Sequence, residues 1–255
     1  IPDLYQKIFN ASISVATPNK VAASSAYNNY STLKHLARKN NVQFLFETNV
    51  GAGLPVISTM RNLMHSGDRI IKIEAVLSGS ISYIFNNFNG RRPFSELVSE
   101  AKEFGYTEPD PREDLSGADV RRKITILARE AGYKVDTDEV VIHPILPQKC
   151  LDAPDISSFF LALKEEDKYF SDLLLKAEEK NGVLRFIAKA EDGHVSCGVE
   201  IVNIDSPFYN LGGSDNMIVF TTQRYKSRPL VIRGPGAGAE VTAAGIFAEI
   251  ISAGS

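Results

Sequence analysis

The sequence predicts an α/β protein: the tail of one αβ unit, followed by a longer α+β region built on a mixed sheet. Three observations predict it. Apolar residues at helical spacing alternate with short runs rich in Val, Ile and Phe through the first half of the chain. Two strictly alternating runs, Leu184–Ala190 and Val195–Ile204, flank Glu-Asp-Gly-His and predict an antiparallel hairpin. Glycine-bearing turns at Val50–Pro55 and Arg233–Ala239 each join a strand to a helix.

Size and composition narrow the function classes. A chain of 255 residues can bury a core of its own, as one large domain or two small ones. Hydrophobic content of 44%, charged content of 23% and a net charge of −3 are those of a globular protein in water. No basic excess points to nucleic acid, and no apolar run reaches the ~18 residues of a membrane span. Cys150 and Cys197 are too few and too far apart for a disulfide framework or a zinc site, so both are expected reduced, in a cytoplasmic protein. The four histidines lack any HExxH or HxxxH spacing, which argues against a transition-metal site.

The elements follow in order. The stretch IPDLYQKIFNASISVATPNK predicts a helix, a strand over Ile13–Ala16 and a turn at Thr17–Asn19. It is the tail of an αβ unit whose earlier strands are absent, so the chain is expected to be a fragment. Lys20 then stands at the C-terminal end of a strand, where open α/β sheets bind ligands; a solvated loop lysine is the competing account. Residues 27–40 predict a helix with Leu33, Leu36 and Ala37 inward, and Val42–Glu47 the next strand. In Glu47–Pro55, Gly51 and Gly53 allow a bent backbone and Pro55 suits a first helical turn. Such a loop is either a plain tight turn or a place where carbonyls and the Glu47 carboxylate suit a hard cation.

A helix over Ile57–His65 is expected to stop at Gly67, with a strand over Ile70–Leu77 after it. Ser78-Gly79-Ser80 opens the next helix, either as simple caps or as hydroxyls and N–H groups offered to a ligand. Phe94, Leu97, Val98 and Ala101 mark an amphipathic helix between Pro93 and Gly105.

That helix delivers the chain to GYTEPDPREDLSGADVRRK, Gly105–Lys123, which packs five carboxylates and four cations into nineteen residues. Pro109 and Pro111 predict a stiff extended loop over 106–112. Ser116 is expected to cap a helix, with Asp119 three positions on in a capping-box relation and Val120, Ile124, Leu127 and Ala131 inward until Gly132. Asp119 and Lys123 then share one face at i and i+4. Taken alone this is a capped helix start with an ion pair; the rigid acidic loop set against it favours a site. Arg112, Arg121 and Arg122 are expected to be structural ion partners, since a guanidinium keeps its proton at neutral pH.

Beyond Gly132 the signals weaken. ILPQKC predicts a strand, Ser157–Leu163 and Ser171–Glu179 two helices, and Met217–Thr222 and Pro229–Arg233 further strands. Gly234, Gly236 and Ala239 fit GxGxxA, but no second strand or acidic partner follows them. Close helix–sheet packing accounts for these residues without a dinucleotide.

The stretch Gly105–Lys123 closely resembles the substrate-site signature of the homoserine dehydrogenases. TNVGAGLPVISTMRNLMHSGD and LSGSISYIFN resemble most the dehydrogenase half of the bifunctional aspartokinase/homoserine dehydrogenases, and the likeness runs over nearly the whole chain. The resemblance implies a truncated nucleotide-binding (Rossmann-like) remnant over residues 1–54. It also implies a catalytic and dimerisation domain with a mixed sheet over 55–225, and a return to the nucleotide-binding domain over 226–255. It implies the NAD- or NADP-dependent interconversion of L-homoserine and L-aspartate 4-semialdehyde, in threonine, methionine and isoleucine biosynthesis. Site residues follow from it one by one. Lys123 would donate the proton, supported by Asp119, since hydride addition leaves charge on the aldehyde oxygen. Glu108 would hold the substrate ammonium, with Asp114 and Asp119 beside it. TPNK resembles the motif that places Lys20 at the cofactor, and Gly238 would lie near the cofactor too. Glu47 with the backbone oxygens of Val50, Ala52 and Leu54 would bind a sodium ion. A homodimer or higher homo-oligomer and a fused aspartokinase are the implied partners. Without the first glycine fingerprint, the fragment is expected to be inactive alone.

Two other classes stand beside this one. A non-catalytic regulatory or oligomerisation module would use the strands of 184–222 across a dimer. A cysteine-dependent semialdehyde dehydrogenase would need a nucleophilic thiol, and Cys150 and Cys197 sit in no motif near the signature.

Overall fold

Ile70–Val76 (β3) is the central strand of the molecule's main sheet. In this computed structural model, which describes residues 4–254, the sheet has six strands in the order β4-β6-β5-β3-β7-β8. The strands are Val141–Ile142 (β4), Val183–Glu191 (β5), His194–Val202 (β6), Asp215–Thr222 (β7) and Leu230–Pro235 (β8). The β4–β6 pair is parallel and every other pair antiparallel, so the sheet is mixed as expected. The β5–β6 hairpin registers Val183 against Val202 and Glu191 against His194. Its two-residue turn has positive φ at Asp192 (49°) and Gly193 (82°), the type I′ requirement that matches the twist of paired strands.

The N-terminal segment makes a second, two-stranded parallel sheet, Val15–Ala16 (β1) against Phe44–Leu45 (β2). Around it lie Tyr5–Asn10 (α1), Lys20–Ala23 (α2) and Tyr27–Lys39 (α3). The expected strand over Val42–Glu47 is shorter, because the chain turns into a 3₁₀ turn at Glu47–Asn49. Ile57–His65 (α4) ends where Gly67 takes a φ of +83°.

Helices cover one face of the main sheet: Gly79–Asn87 (α5), Phe94–Glu103 (α6), Pro111–Leu115 (α7), Ala118–Glu130 (α8), Gln148–Leu151 (α9), Ile156–Glu165 (α10) and Asp167–Glu179 (α11). α8 is nearly all core after its first turns, with Ile124, Ile126, Leu127 and Ala128 fully buried. The main core passes without a break from Phe9 and Phe46 beside the small sheet to Ile73, Phe94 and Phe170 beside the large one. A smaller cluster, with Val76, Ile187, Phe208, Leu211 and Met217, fills the opposite face of the sheet.

Three expectations need correction. The loop 106–112 is not one extended stretch: the chain bends at 106–107 and again at 109–110, Pro111 occupies the first position of α7, where its missing N–H costs nothing, and Asp110 caps that helix by accepting the Arg112 N–H at 3.0 Å. Ser116 is not the cap of α8. That place belongs to Gly117, whose φ of +72° reverses the chain between two helices, while Ser116 closes α7. Ser116 Oγ still accepts the Ala118 N–H at 3.2 Å, but Asp119 turns to lysines instead of closing a capping box. ILPQKC is not a strand: Pro147 starts α9, and the edge strand is Val141–Ile142.

The C-terminal helix Ala239–Gly254 (α12) returns to the N-terminal segment and packs on the Glu47–Asn49 turn and β1. β8, which feeds it, runs antiparallel to β7, so residues 234–239 lie outside any parallel βαβ unit.

Candidate active site

α8 opens on the signature. Its first turns carry Asp119 and Lys123 on one face, and Lys123 Nζ lies 2.8 Å from the Asp119 carboxylate. The same ammonium donates to the Leu77 carbonyl at 2.7 Å, at the end of β3. Lys20, first residue of α2, reaches Asp119 from the other side at 3.5 Å. Lys123 is the more enclosed lysine, its side chain 12% exposed against 30% for Lys20. Burial is the largest influence on Lys123 and pulls its ammonium below the ordinary lysine value, against the attraction of Asp119. Burial alone would raise the Asp119 carboxyl, but Lys123 and then Lys20 outweigh it and hold the group below its usual range.

Asp114 enters from α7. Its two oxygens accept from Ser80 Oγ and from the Glu108 N–H, each at 2.8 Å. Ser78 Oγ lies 2.9 Å from Ser80 Oγ and also accepts the Ile81 N–H at 3.3 Å. Ser78 therefore caps α5, as one account had it, and Ser80 orients the Asp114 carboxylate.

These side chains line one cleft of about 430 Å³. Asp114, Asp119, Lys123 and the two serines form one wall, and the backbone of Pro235–Gly238 forms the facing one. Gly236 and Gly238 present bare main chain there, Gly238 at a φ of +129°. A larger cleft, about 640 Å³, lies past the far end of α8 between Arg69, Tyr133 and Asp192, and holds none of the expected site residues. The smaller cleft has the chemistry.

Asp114, Asp119, Lys123 and Gly238 are thus brought together, with Lys20 at the edge through Asp119. Glu108 is not among the cleft-lining side chains. It is exposed, and its contribution to the cluster is the backbone N–H held by Asp114.

Glu47 has a structural use that its residue type alone did not suggest. Its carboxylate accepts the N–H groups of Ile57 and Ser58, at 2.6 and 2.7 Å, and so caps α4. The Leu54 carbonyl accepts the Val56 N–H at 2.9 Å. Both Glu47 carboxylate oxygens and the Leu54 carbonyl thus serve backbone donors, while a carboxylate and a carbonyl each keep further lone pairs.

Some contributors were not legible in sequence. The Leu77 carbonyl is a backbone group and carries no residue signal. Tyr106, which lines the cleft, stacks on Tyr83 with centroids 4.4 Å apart, a pairing between separate elements. At the far end of α8, the buried Glu130 carboxylate binds Lys34 at 2.9 Å and Arg61 at 2.7 Å, tying α3 and α4 to the helix that bears Lys123. Neither cysteine lines the cleft. Burial pushes the Cys197 thiol up to about 12 and raises Cys150 as well, the reverse of what a thiolate nucleophile needs.

Comparison with known proteins gives one result throughout. A homoserine dehydrogenase family model matches residues 55–251. A bifunctional aspartokinase/homoserine dehydrogenase of Arabidopsis thaliana is 46% identical over 241 residues, 94% of this chain and 26% of the relative. The homoserine dehydrogenase of Schizosaccharomyces pombe is 42% identical, over 98% of this chain and 69% of its own. Among solved structures, a Candida auris protein of unknown function superposes with a TM-score of 0.95 at 40% identity, over 98% of this chain and 72% of that one. A hyperthermophilic archaeal homoserine dehydrogenase in complex with NADPH superposes with a TM-score of 0.73 at 27% identity, over 99% and 67%. The chain spans about a quarter of the length of the bifunctional plant relatives.

Proposed function

The chain belongs to the homoserine dehydrogenase family, and from that premise we propose that its cleft carries out the interconversion of L-homoserine and L-aspartate 4-semialdehyde. The observation that carries the reading is the placement of Lys123. An ammonium has three N–H donors. One is held by Asp119 and one by the Leu77 carbonyl, which leaves the third for the cleft.

A nicotinamide cofactor, NADP or NAD, supplies or takes the hydride when bound. Lys20 and the bare backbone at Gly238 suit its neighbourhood, a cation and a close approach. The rest is the work of this chain's residues. In the reducing direction, charge grows on the former aldehyde oxygen, and the free Lys123 N–H donates its proton there. Burial makes that proton easier to release, and Asp119 keeps the amine charged until it is needed. In the oxidising direction, the neutral amine takes the hydroxyl proton back. Asp114, fixed by Ser80, offers a carboxylate to the substrate ammonium, and Glu108 adds a second from the loop that Asp114 holds.

Several features support the wider reading. The β1–β2 pair with α12 packed against it suits a nucleotide-binding remnant over 1–54 completed by 226–255, with 55–225 as the catalytic and dimerisation domain. The mixed sheet suits pairing into a homodimer or higher homo-oligomer. Bifunctional relatives carry an aspartokinase, which makes a fused kinase and a place in amino-acid biosynthesis part of the proposal. Two buried free thiols suit a cytoplasmic setting.

Hydride transfer from C4-deuterated NADPH to L-aspartate 4-semialdehyde, followed by mass spectrometry of homoserine, tests the reading on the intact enzyme. One deuterium in homoserine is expected. Its absence, with the semialdehyde unconsumed, favours the non-catalytic module.

A further inference from the structure

Asn216 lies in β7, opposite Gly234 of β8, and is 1% exposed. Neither its amide nitrogen nor its amide oxygen has a hydrogen-bond partner among the described residues. Leaving buried polar atoms unpaired costs about 1–3 kcal/mol per group, so an arrangement that pairs them is strongly favoured when it becomes available. Its chain neighbour Asp215 is not in this state, since it pairs with Arg233 at 3.0 Å, and Asn86 nearby leaves only its amide oxygen unpaired while its nitrogen donates to the Gly213 carbonyl at 2.7 Å.

What covers the amide is Gly236. A Cβ at that position would overlap the Asn216 side chain, so only a glycine backbone can lie there. Gly236 is also part of the wall of the cleft that holds Lys123 and Asp114. One peptide therefore separates an unpaired donor and acceptor from the site. The base beneath it is fixed, because α5 ties down the start of β7 through Ser82 Oγ to the Asp215 carbonyl at 3.3 Å. The strand end above it runs through glycines to the start of α12.

We propose that Asn216 is a positioning residue for this cleft: when ligand fills it, the Gly236–Ala237 backbone settles onto the Asn216 amide, which fixes the loop bearing Gly238 over the ligand. The peptide N–H and C=O of that segment match the amide's acceptor and donor. The inference rests on the cleft being the dehydrogenase site.

Asn216→Leu keeps the volume and removes both polar atoms. In the ligand-free protein, where the amide is unpaired, thermal melting should show no loss of stability. In turnover with homoserine and NADP+, the variant should show a homoserine KM raised about tenfold, roughly 1.4 kcal/mol. Amide hydrogen exchange across 234–238 should slow on adding homoserine with NADPH in the parent and not in the variant, while slowing across 114–123 persists in both. A lowered melting temperature in the free variant, or an unchanged KM and exchange pattern, overturns the proposal. If the ligands slow nothing at 114–123 in the parent, the dehydrogenase reading fails with it; the melting comparison separately shows whether the amide is unpaired.

Discussion

The Glu249 carboxylate accepts the backbone N–H of Glu47 at 2.6 Å, and through it α12 is latched to the loop that caps α4. Its other oxygen is buried without a partner. Burial pushes the Glu249 carboxyl up to about 6; the Glu47 N–H lowers it, the nearby Glu47 charge raises it further, and Arg61 opposes that rise.

The sign of the pH effect follows. The folded chain holds this proton more tightly than the unfolded chain, whose value is near 4.5. Stability contributed by the neutral form is present below that value and is lost as pH rises through about 6. Glu249→Gln, which stays neutral, should therefore raise the melting temperature at pH 8 by a few degrees, corresponding to about 1–2 kcal/mol, and change it little at pH 4.5. Equal shifts at both pH values would contradict the assignment.

Gly117 sets the direction of α8. At a φ of +72°, and with a Cβ there falling 3.0 Å from the Phe186 ring, Gly117→Ala should cost about 1–2 kcal/mol in urea unfolding. It should also lower kcat, because the turn aims Asp119 and Lys123. Full activity in a destabilised variant would separate the turn from the site.

Glu108→Ala should chiefly raise the homoserine KM and leave NADPH affinity alone, since Glu108 is exposed and joins the cluster through the loop that Asp114 holds. Its exposure predicts a smaller effect than Asp114→Asn, which also breaks the Ser80 contact. An equal loss of cofactor binding in Glu108→Ala would mean that the loop had collapsed.

Helices and strands with a clear period were legible in sequence, and so was the partnership of Asp119 with Lys123, because i and i+4 on a helix must share a face. The wrong expectations all came from residues with two local uses. Proline in PDPRED reads as a helix breaker, yet at the first helical position it is favoured. Ser116 and Gly117 both suit a cap, and only the packing of Gly117 against Phe186 decides between them. What sequence lacked was tertiary: the Leu77 carbonyl at Lys123, the Glu130 cluster, and the unpaired Asn216.

The pH dependence of kcat in Lys123→Ala, set beside that of the parent enzyme, tests the central claim most directly. A proton donor held by Asp119 and Leu77 predicts a loss of roughly 10²-fold or more at the parent's optimum. It also predicts that the ionisation limiting the parent's rate disappears from the variant's profile, with NADPH affinity kept. A near-normal kcat that keeps the parent's profile would contradict it.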